Sequence, residues 1–139
     1  MLFHIVFENL LINDSTFSRS SIEGCTFTGG EIVSASFINA EFENVIFENT
    51  VFKDTFFFGA DLKDCTFKNT KGLSNLHFYN CKISKNTKFV PPLEGDNTMP
   101  YETVVDFVNN SGVNNFRKSE ILNDLKLMED QKNAKKPSE

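Results

Sequence analysis

The fold of this chain is decided by residues 40–69, which read AEFENVIFENTVFKDTFFFGADLKDCTFKN. Every fifth position of the stretch is large and apolar, and the position two residues earlier is small or β-branched. A period of five fits neither the 3.6-residue turn of an α-helix nor the two-residue alternation of a flat strand. It predicts a chain that turns a corner every five residues, with one large and one small side chain pointing inward in each unit. The large residues are Phe42, Phe47, Phe52, Phe57, Leu62 and Phe67.

The same period extends in both directions from this stretch. Towards the N-terminus it reaches Leu2 without a break, so that fourteen consecutive fifth positions are large and apolar. Towards the C-terminus it slips by one residue near Thr70-Lys71-Gly72 and resumes at Leu73, Phe78 and Ile83. Repetition at a short fixed period indicates a solenoid, in which each unit packs only against its neighbours.

Three units are the most regular: Ala60-Asp61-Leu62-Lys63-Asp64, Ala40-Glu41-Phe42-Glu43-Asn44 and Cys65-Thr66-Phe67-Lys68-Asn69. Through them the chain resembles the pentapeptide-repeat proteins, whose units read roughly Ala-(Asp/Asn)-Leu-x-x. The resemblance implies an all-β solenoid, a right-handed quadrilateral β-helix of about four coils with 20 residues in each. We assign residues 1–89 to this β-helix and residues 90–139 to a C-terminal α-helical appendage.

With four units per coil, residues 20 positions apart stack on the same face. Coils about 4.8 Å apart suit offset aromatic stacking, and four of them make a rod about 20 Å long. The three cysteines, Cys25, Cys65 and Cys81, fall at the small inward position, so we expect buried, reduced thiols. We also expect two opposed ladders of phenylalanine, one of Phe7, Phe27, Phe47 and Phe67, the other of Phe17, Phe37, Phe57 and Phe78.

Composition and charge narrow the class of protein. The net charge of −5 over 139 residues argues against direct binding to nucleic acid and against an anionic membrane surface. No apolar run approaches the length that spans a bilayer, and the N-terminus is a poor signal peptide, so we expect a cytoplasmic protein without a membrane role. The cysteine spacing favours neither a disulfide framework nor a metal site.

Acidic residues concentrate in the N-terminal part of the repeat. Residues 2–62 hold nine acidic and two basic residues, a net charge of −7, and the remainder of the chain carries +2. One face presents a column of four carboxylates, and two more acids lie on neighbouring faces. This candidate partner-binding surface comprises Glu23, Glu41, Glu43, Asp61, Glu31 and Glu48.

A second candidate surface is apolar. Phe56, Phe57 and Phe58 are consecutive, so two of the three must point outward whichever faces the core. Together with Ile38 and Tyr79, the outward pair forms an aromatic patch that is too large to be left in water without a reason. We predict an apolar docking or dimer patch of Ile38, Phe56, Phe58 and Tyr79.

The C-terminal third changes from repeat to helix. After a loop around Pro91-Pro92, Thr98 is predicted to cap a helix that runs to about Asn110. A second helix is predicted from Ser119 to about Lys132, followed by a frayed tail. Either these helices cover the end or the aromatic patch of their own rod, or one crosses to a second subunit, since the resemblance favours homodimers through C-terminal elements. The residues predicted to pack are Ile121, Leu122, Leu125 and Met128.

No motif for catalysis, cofactor or metal binding is present in the sequence. His4 and His77 lie far apart, and a carboxylate pair on a convex surface has no pocket to perturb it, so we expect no enzymatic activity and no cofactor. The first functional hypothesis is a protein-binding rod that imitates DNA. The resemblance supports it, since some pentapeptide-repeat proteins act in this way on DNA gyrase.

Two further functional hypotheses concern other partners. A small acidic inhibitor encoded by a phage or mobile element, which blocks a host nuclease or defence complex, fits the size equally well. The alternative to DNA mimicry is a general protein–protein interaction or assembly module that acts through the aromatic patch.

Overall fold

The structure is a computed structural model that describes residues 2–95 and 99–134. The repeat forms very short strands, mostly three residues long, and every three-residue strand up to residue 68 is centred on a large apolar residue of the five-residue period. Residues Asn75–Phe78 form one 3-10 turn. The strands are β1 Leu2–Phe3, β2 Val6–Glu8, β3 Leu11–Asn13, β4 Ser21–Glu23, β5 Thr26–Thr28, β6 Glu31–Val33, β7 Glu41–Glu43, β8 Ile46–Glu48, β9 Val51–Lys53, β10 Asp61–Lys63, β11 Thr66–Lys68, β12 Lys82–Ile83 and β13 Lys88–Val90; the helices are α1 Tyr101–Asn109 and α2 Asn115–Ala134.

The strands stack into parallel sheets that form the faces of a solenoid. The first face contains β1, β4, β7, β10 and β12, the second contains β2, β5, β8, β11 and β13, and the third contains β3, β6 and β9. Parallel bridges that join Thr16 to Ser36 and Ser36 to Phe56 mark the fourth, the Phe57 face. The pairing register is 20 residues, as in Ile22 beside Phe42, so the predicted four-sided β-solenoid of about four coils is confirmed.

The register slips twice near the C-terminal end. Asp61 pairs with Lys82, an offset of 21, which is the slip that the sequence predicts near Gly72. Thr66 then pairs with Lys88, an offset of 22, so a second residue is inserted after Ile83. The repeat therefore continues one strand further than its period suggests. In this second slip the Thr87 hydroxyl donates to the Leu62 carbonyl at 2.8 Å and accepts the Cys65 N–H at 3.1 Å.

Two phenylalanine ladders fill the solenoid, as predicted. Along the second face the ring centroids of neighbouring coils lie 4.7–5.0 Å apart and the rings are stacked. Along the Phe57 face the corresponding distances are 4.9–5.1 Å. The smaller inward residues fill the space between them, and Cys25 and Cys65 are fully buried as free thiols. The first ladder is Phe7, Phe27, Phe47, Phe67 and Phe89, and the second is Phe17, Phe37, Phe57 and Phe78.

A left-handed backbone conformation produces each corner. From Leu2 to Phe67, the residue two positions after each large one has a positive φ, for example +58° at Asn49 and +54° at Asp64. Asparagine, aspartate and glycine tolerate this conformation best, and they occupy most of these positions. The residue types at the corners, like those at the inward positions, therefore repeat every five residues in the sequence.

The two helices lie along the Phe57 face. The N-terminus of α2 contacts the first coil, where Arg117 Nε lies 3.6 Å from Asp14, and its C-terminal part reaches Tyr79 on the last coil. The helix begins at Asn115, four residues before the predicted start, because the Asn114 side chain accepts the Arg117 N–H at 2.8 Å and so caps it. The predicted cap at Thr98 and the last five residues of the predicted tail lie outside the described residues.

Candidate protein-binding surface

The first face brings carboxylates from consecutive coils into register. Glu23 on β4 pairs with Glu43 on β7, and Glu41 on β7 pairs with Asp61 on β10. Because successive side chains of a strand alternate between the two sides of the sheet, the residues that flank the inward Phe42 both point outward. We call the outward surface formed by Glu23, Glu41, Glu43 and Asp61 the acidic face.

The acidic face surrounds a shallow hollow. Its volume is about 260 Å³, and the buried residues Ile22 and Phe42 form its floor. Glu41 is held by the Ser21 hydroxyl, which donates to its Oε2 at 3.3 Å. The remaining lining side chains are carboxylates and one lysine, so the hollow offers negative charge on a rigid base.

Lysines offset the negative charge of the acidic face towards the C-terminal end of the rod. Lys63 Nζ lies 3.4 Å from Glu43 Oε1, and both side chains remain largely exposed. Lys82 follows Asp61 in the same register. The uncompensated charge therefore lies at Glu23 and Glu41, in the second and third coils.

Two of the predicted acidic residues lie on other faces. Glu31, on β6, stands between Leu11 and Val51 in the register of the third face. Glu48, on β8, stands between Thr28 and Lys68 on the second face. They extend the negative potential around the rod but do not join the carboxylates of the acidic face.

The predicted aromatic patch is not exposed. Ile38, Phe56 and Phe58 have no accessible surface and Tyr79 retains 9%. The prediction of an exposed docking or dimer patch is therefore wrong, because the two helices of the same chain cover it. The covering residues are Val104, Val108, Val113, Ile121, Leu125 and Met128, with Leu122 at the edge.

Burial shifts the pKa values of His77, Cys65 and Cys81 and favours their uncharged forms. Burial lowers the pKa of His77 to about 4, and its Nδ1 accepts the Ser74 N–H at 2.9 Å. Burial also raises the pKa of Cys65 to about 11 and that of Cys81 to about 12, so both thiols stay protonated. Within residues 2–95 and 99–134 no three histidine, cysteine or acidic side chains form a group that could hold a metal ion.

A polar groove between α2 and the first two coils had no signal in the sequence. Its volume is about 340 Å³, and Arg19 and Arg117 lie along it. Arg19 is paired with Asp124 at 3.4 Å and Arg117 with Glu120 at 2.7 Å. Because the Arg19–Asp124 pair joins residues more than 100 positions apart, only the folded chain reveals it.

The helices carry no signature of a membrane span. In the described part of the chain, neither is long and apolar enough to cross a bilayer. Both are accounted for by the cover that they form over the Phe57 face.

The fold and its surface define a parallel β-solenoid repeat protein with one helix-covered face and one acidic face. Residues 33–71 match the family model described as pentapeptide repeats, eight copies. Pentapeptide repeats therefore make up at least residues 33–71 of the solenoid. Among solved structures it is similar to a pentapeptide repeat protein, Rfr23, from the cyanobacterium Cyanothece 51142, with 13% identity over 63% of this chain and 89% of that chain and a TM-score of 0.28. No curated protein matches the chain.

Proposed function

We propose that this protein is a non-enzymatic, cytoplasmic, protein-binding rod that occupies the DNA-binding surface of a DNA-processing enzyme through its acidic face. The observation that carries the proposal is the register of Glu23 with Glu43 and of Glu41 with Asp61 on consecutive strands. Sheet hydrogen bonds and a stacked aromatic core fix the backbone that carries these carboxylates before any partner arrives.

A rigid row of carboxylates resembles duplex DNA in its electrostatics. Each strand of duplex DNA carries one phosphate for about every 3.4 Å along the axis of a stiff cylinder, and the coils here repeat about every 4.8 Å along the rod. The acidic face therefore presents to a basic DNA-binding groove a line of negative charge that is similar to a row of phosphates. Because the carboxylate-bearing backbone is ordered in advance, little conformational entropy is lost on binding.

The partner that this surface fits is an enzyme with a basic groove for duplex DNA. DNA gyrase or another topoisomerase is the first candidate, in line with the family resemblance. A host nuclease or defence complex, inhibited by a protein of a phage or mobile element, presents the same kind of groove. We also propose that the chain itself performs no catalysis, which the protonated thiols and the open hollow support.

Charge reversal tests this function. The variant E23K/E41K/E43K/D61K is compared with a control that reverses four exposed acids elsewhere, E94K/E102K/D106K/D130K, so that both proteins have the same net charge. Each tagged protein is used to capture partners from bacterial lysate, with and without excess duplex DNA. Each is also added to purified gyrase in a supercoiling assay.

The expected result is a DNA-processing enzyme that wild type and control capture, that duplex DNA displaces, and that the acidic-face variant loses. Binding should also weaken steeply as salt rises from about 0.05 to 0.5 M, because exposed charges are screened. A partner that duplex DNA does not displace would overturn the proposal, as would equal capture and inhibition by the acidic-face variant.

A further inference from the structure

The two ends of the solenoid differ. At the C-terminal end, Leu93 packs against the core and the Glu94 carbonyl accepts the Asn75 N–H at 3.0 Å, so the chain crosses the last coil. At the N-terminal end, the described residues include nothing that crosses the first coil. There a cavity of about 230 Å³ is lined only by apolar side chains, among them Phe7, Leu10, Ile12 and Phe17.

The open end also presents unpaired backbone. The Thr26 N–H donates to the Ile5 carbonyl, and the Thr28 carbonyl accepts the Asn9 N–H. Thr26 and Thr28, in the second coil, therefore direct their backbone groups towards the first coil. Their register partners, Val6 and Glu8, consequently direct their own N–H and C=O groups away from the second coil. The same alternation applies along β3. The outer edges of β1, β2 and β3 therefore present unpaired backbone N–H and C=O groups to another chain.

Exposed apolar side chains ring the open end. The exposed fractions are 65% for Val6, 66% for Leu11 and 52% for Phe3. Phe116, in the first turn of α2, is 72% exposed and follows Asn114 and Asn115 beside the first coil. Side chains of this kind favour burial against another surface.

Electrostatics do not oppose contact between two copies here. The first coil, residues 2–20, carries only Glu8, Asp14 and Arg19 as charged side chains. The last two are already paired with α2. The acidic coils lie further along the rod, so two first coils can meet without bringing like charges together.

We propose that the N-terminal end docks on the same end of a second copy, which gives a head-to-head dimer with the rods in line. Three short strand edges set around a square cannot be matched by one extended partner strand, but another coil end matches all of them. Since the C-terminal end is crossed by its own chain, the matching surface is a second N-terminal end. A twofold axis perpendicular to the rod makes the facing strands antiparallel and closes the assembly at two copies.

The helix cover selects one orientation of the axis. An axis through the second face and the Phe57 face pairs β2 with β2 and β1 with β3 of the second copy. It also places the two α2 N-termini side by side, so that the Phe116 rings of the two copies bury each other. The other axis, through the first and third faces, would place the two α2 N-termini on opposite sides of the rod and so keep the two Phe116 rings apart.

The test is sedimentation velocity of the purified full chain over a range of concentrations. Wild type should form a dimer of about twice 15.8 kDa. V6K/L11K should raise the dissociation constant of the dimer at least tenfold, since lysine side chains prevent strand edges from pairing with another chain. The matched control I46K/V51K places the same charges on the same two faces, two coils further along, and should leave the dimer intact.

A second variant separates loss of docking from loss of folding. In V6P/L11P the prolines remove N–H groups that the monomer leaves unpaired, so circular dichroism should stay native while the dimer is lost. A protein that stays monomeric at about 1 mM, a dimer that resists V6K/L11K, or oligomers that grow beyond two copies would each overturn the proposal. The measurement needs no DNA-processing enzyme, so its outcome is independent of the charge-reversal experiment.

Discussion

The hydroxyl of Tyr79, on the last coil, donates a 3.0 Å hydrogen bond to a carboxylate oxygen of Glu129 on α2. The ammonium group of Lys132 lies 5.8 Å from the centre of the same ring. Burial, followed by the hydrogen bond and charge of Glu129, raises the pKa of Tyr79 to about 12. This contact holds the end of the helix on the end of the rod.

Replacing Tyr79 with phenylalanine should lower the free energy of unfolding by about 1 kcal/mol near neutral pH, because one hydrogen bond is lost. The folded pKa lies above the unfolded value of about 10, so the contribution is complete below pH 10 and is lost as pH rises towards 12. Urea unfolding at pH 8 and pH 11 measures both effects. Y101F is the control, and equal alkaline loss in wild type and Y79F would contradict the prediction.

His77 should make the protein sensitive to acid. Its imidazole packs edge-on against Phe107 at 4.8 Å, between the last coil and α1. Because the folded pKa of about 4 lies below the unfolded value of about 6.5, the contribution is complete above pH 6.5 and is lost as pH falls through 4.

The variant H77N keeps an acceptor for the Ser74 N–H and removes the ionisation. The difference in unfolding free energy between pH 7 and pH 4.5 should be smaller in H77N than in wild type. H4N, at the exposed histidine, serves as the control for general effects of substitution. A pH difference unchanged by H77N would show that His77 is not the acid-sensitive group.

Phe58 should matter for stability. Its side chain is fully buried in the cluster that α1 and α2 complete. Replacement by serine should cost about 3–5 kcal/mol, since the aromatic ring is lost and a hydroxyl is buried. Denaturant unfolding of F58S checks this value. The control L127Q, at a position that is 47% exposed, should change stability by less than about 1 kcal/mol.

Gly72 permits the first slip of the register. Its φ is +89°, and a Cβ placed there would lie 1.8 Å from the Phe52 carbonyl oxygen. Alanine should therefore destabilise the protein by more than about 2 kcal/mol, through backbone strain together with the clash.

Gly95 provides a matched control for this variant. Its φ is +97°, yet a Cβ there would meet nothing within 4 Å. G95A should cost only the conformational strain, about 1 kcal/mol. Thermal or urea unfolding measures the loss of stability in each variant, and the difference between G72A and G95A is the contribution of the clash. Equal destabilisation would show that the Phe52 carbonyl moves aside.

The five-residue period predicted a solenoid with one large inward residue in each unit, because each inward residue is specified by a local rule. The four units per coil came from the family resemblance, and the faces and the two phenylalanine ladders followed from that number. The second slip was missed because a single inserted residue near Thr87 leaves Phe89 off the expected phase. The outward Phe56 and Phe58 were identified correctly as a pair that needs cover. The helical pattern also predicted Leu125 as a packing residue, but it left open whether the helix covers its own rod or a second subunit, because that choice depends on where the folded chain places α2.

Some features of the candidate surface could likewise be predicted from the sequence, and others could not. The register of Glu23, Glu41, Glu43 and Asp61 followed from the five-residue period together with the four units per coil that the family resemblance implies. The pairing of Glu43 with Lys63 could be foreseen from their spacing of 20 residues, and it reduces the charge at that end. The contacts of Arg19 and Arg117 with distant partners could not be foreseen, because they depend on where α2 lies.

A linear array of repeats ordinarily loses its terminal units first, since each coil is held only by its neighbours. Here α2 touches the first coil through Arg117 and the last through Glu129, so it links the two ends directly. Opening either end breaks contacts with a helix that the other end also holds, and the array should therefore unfold in a single cooperative transition. During synthesis this link cannot form before α2 has been made, so Phe56 and Phe58 stay uncovered on the ribosome until residues 115–134 emerge, and in that interval the nascent chain is prone to aggregate.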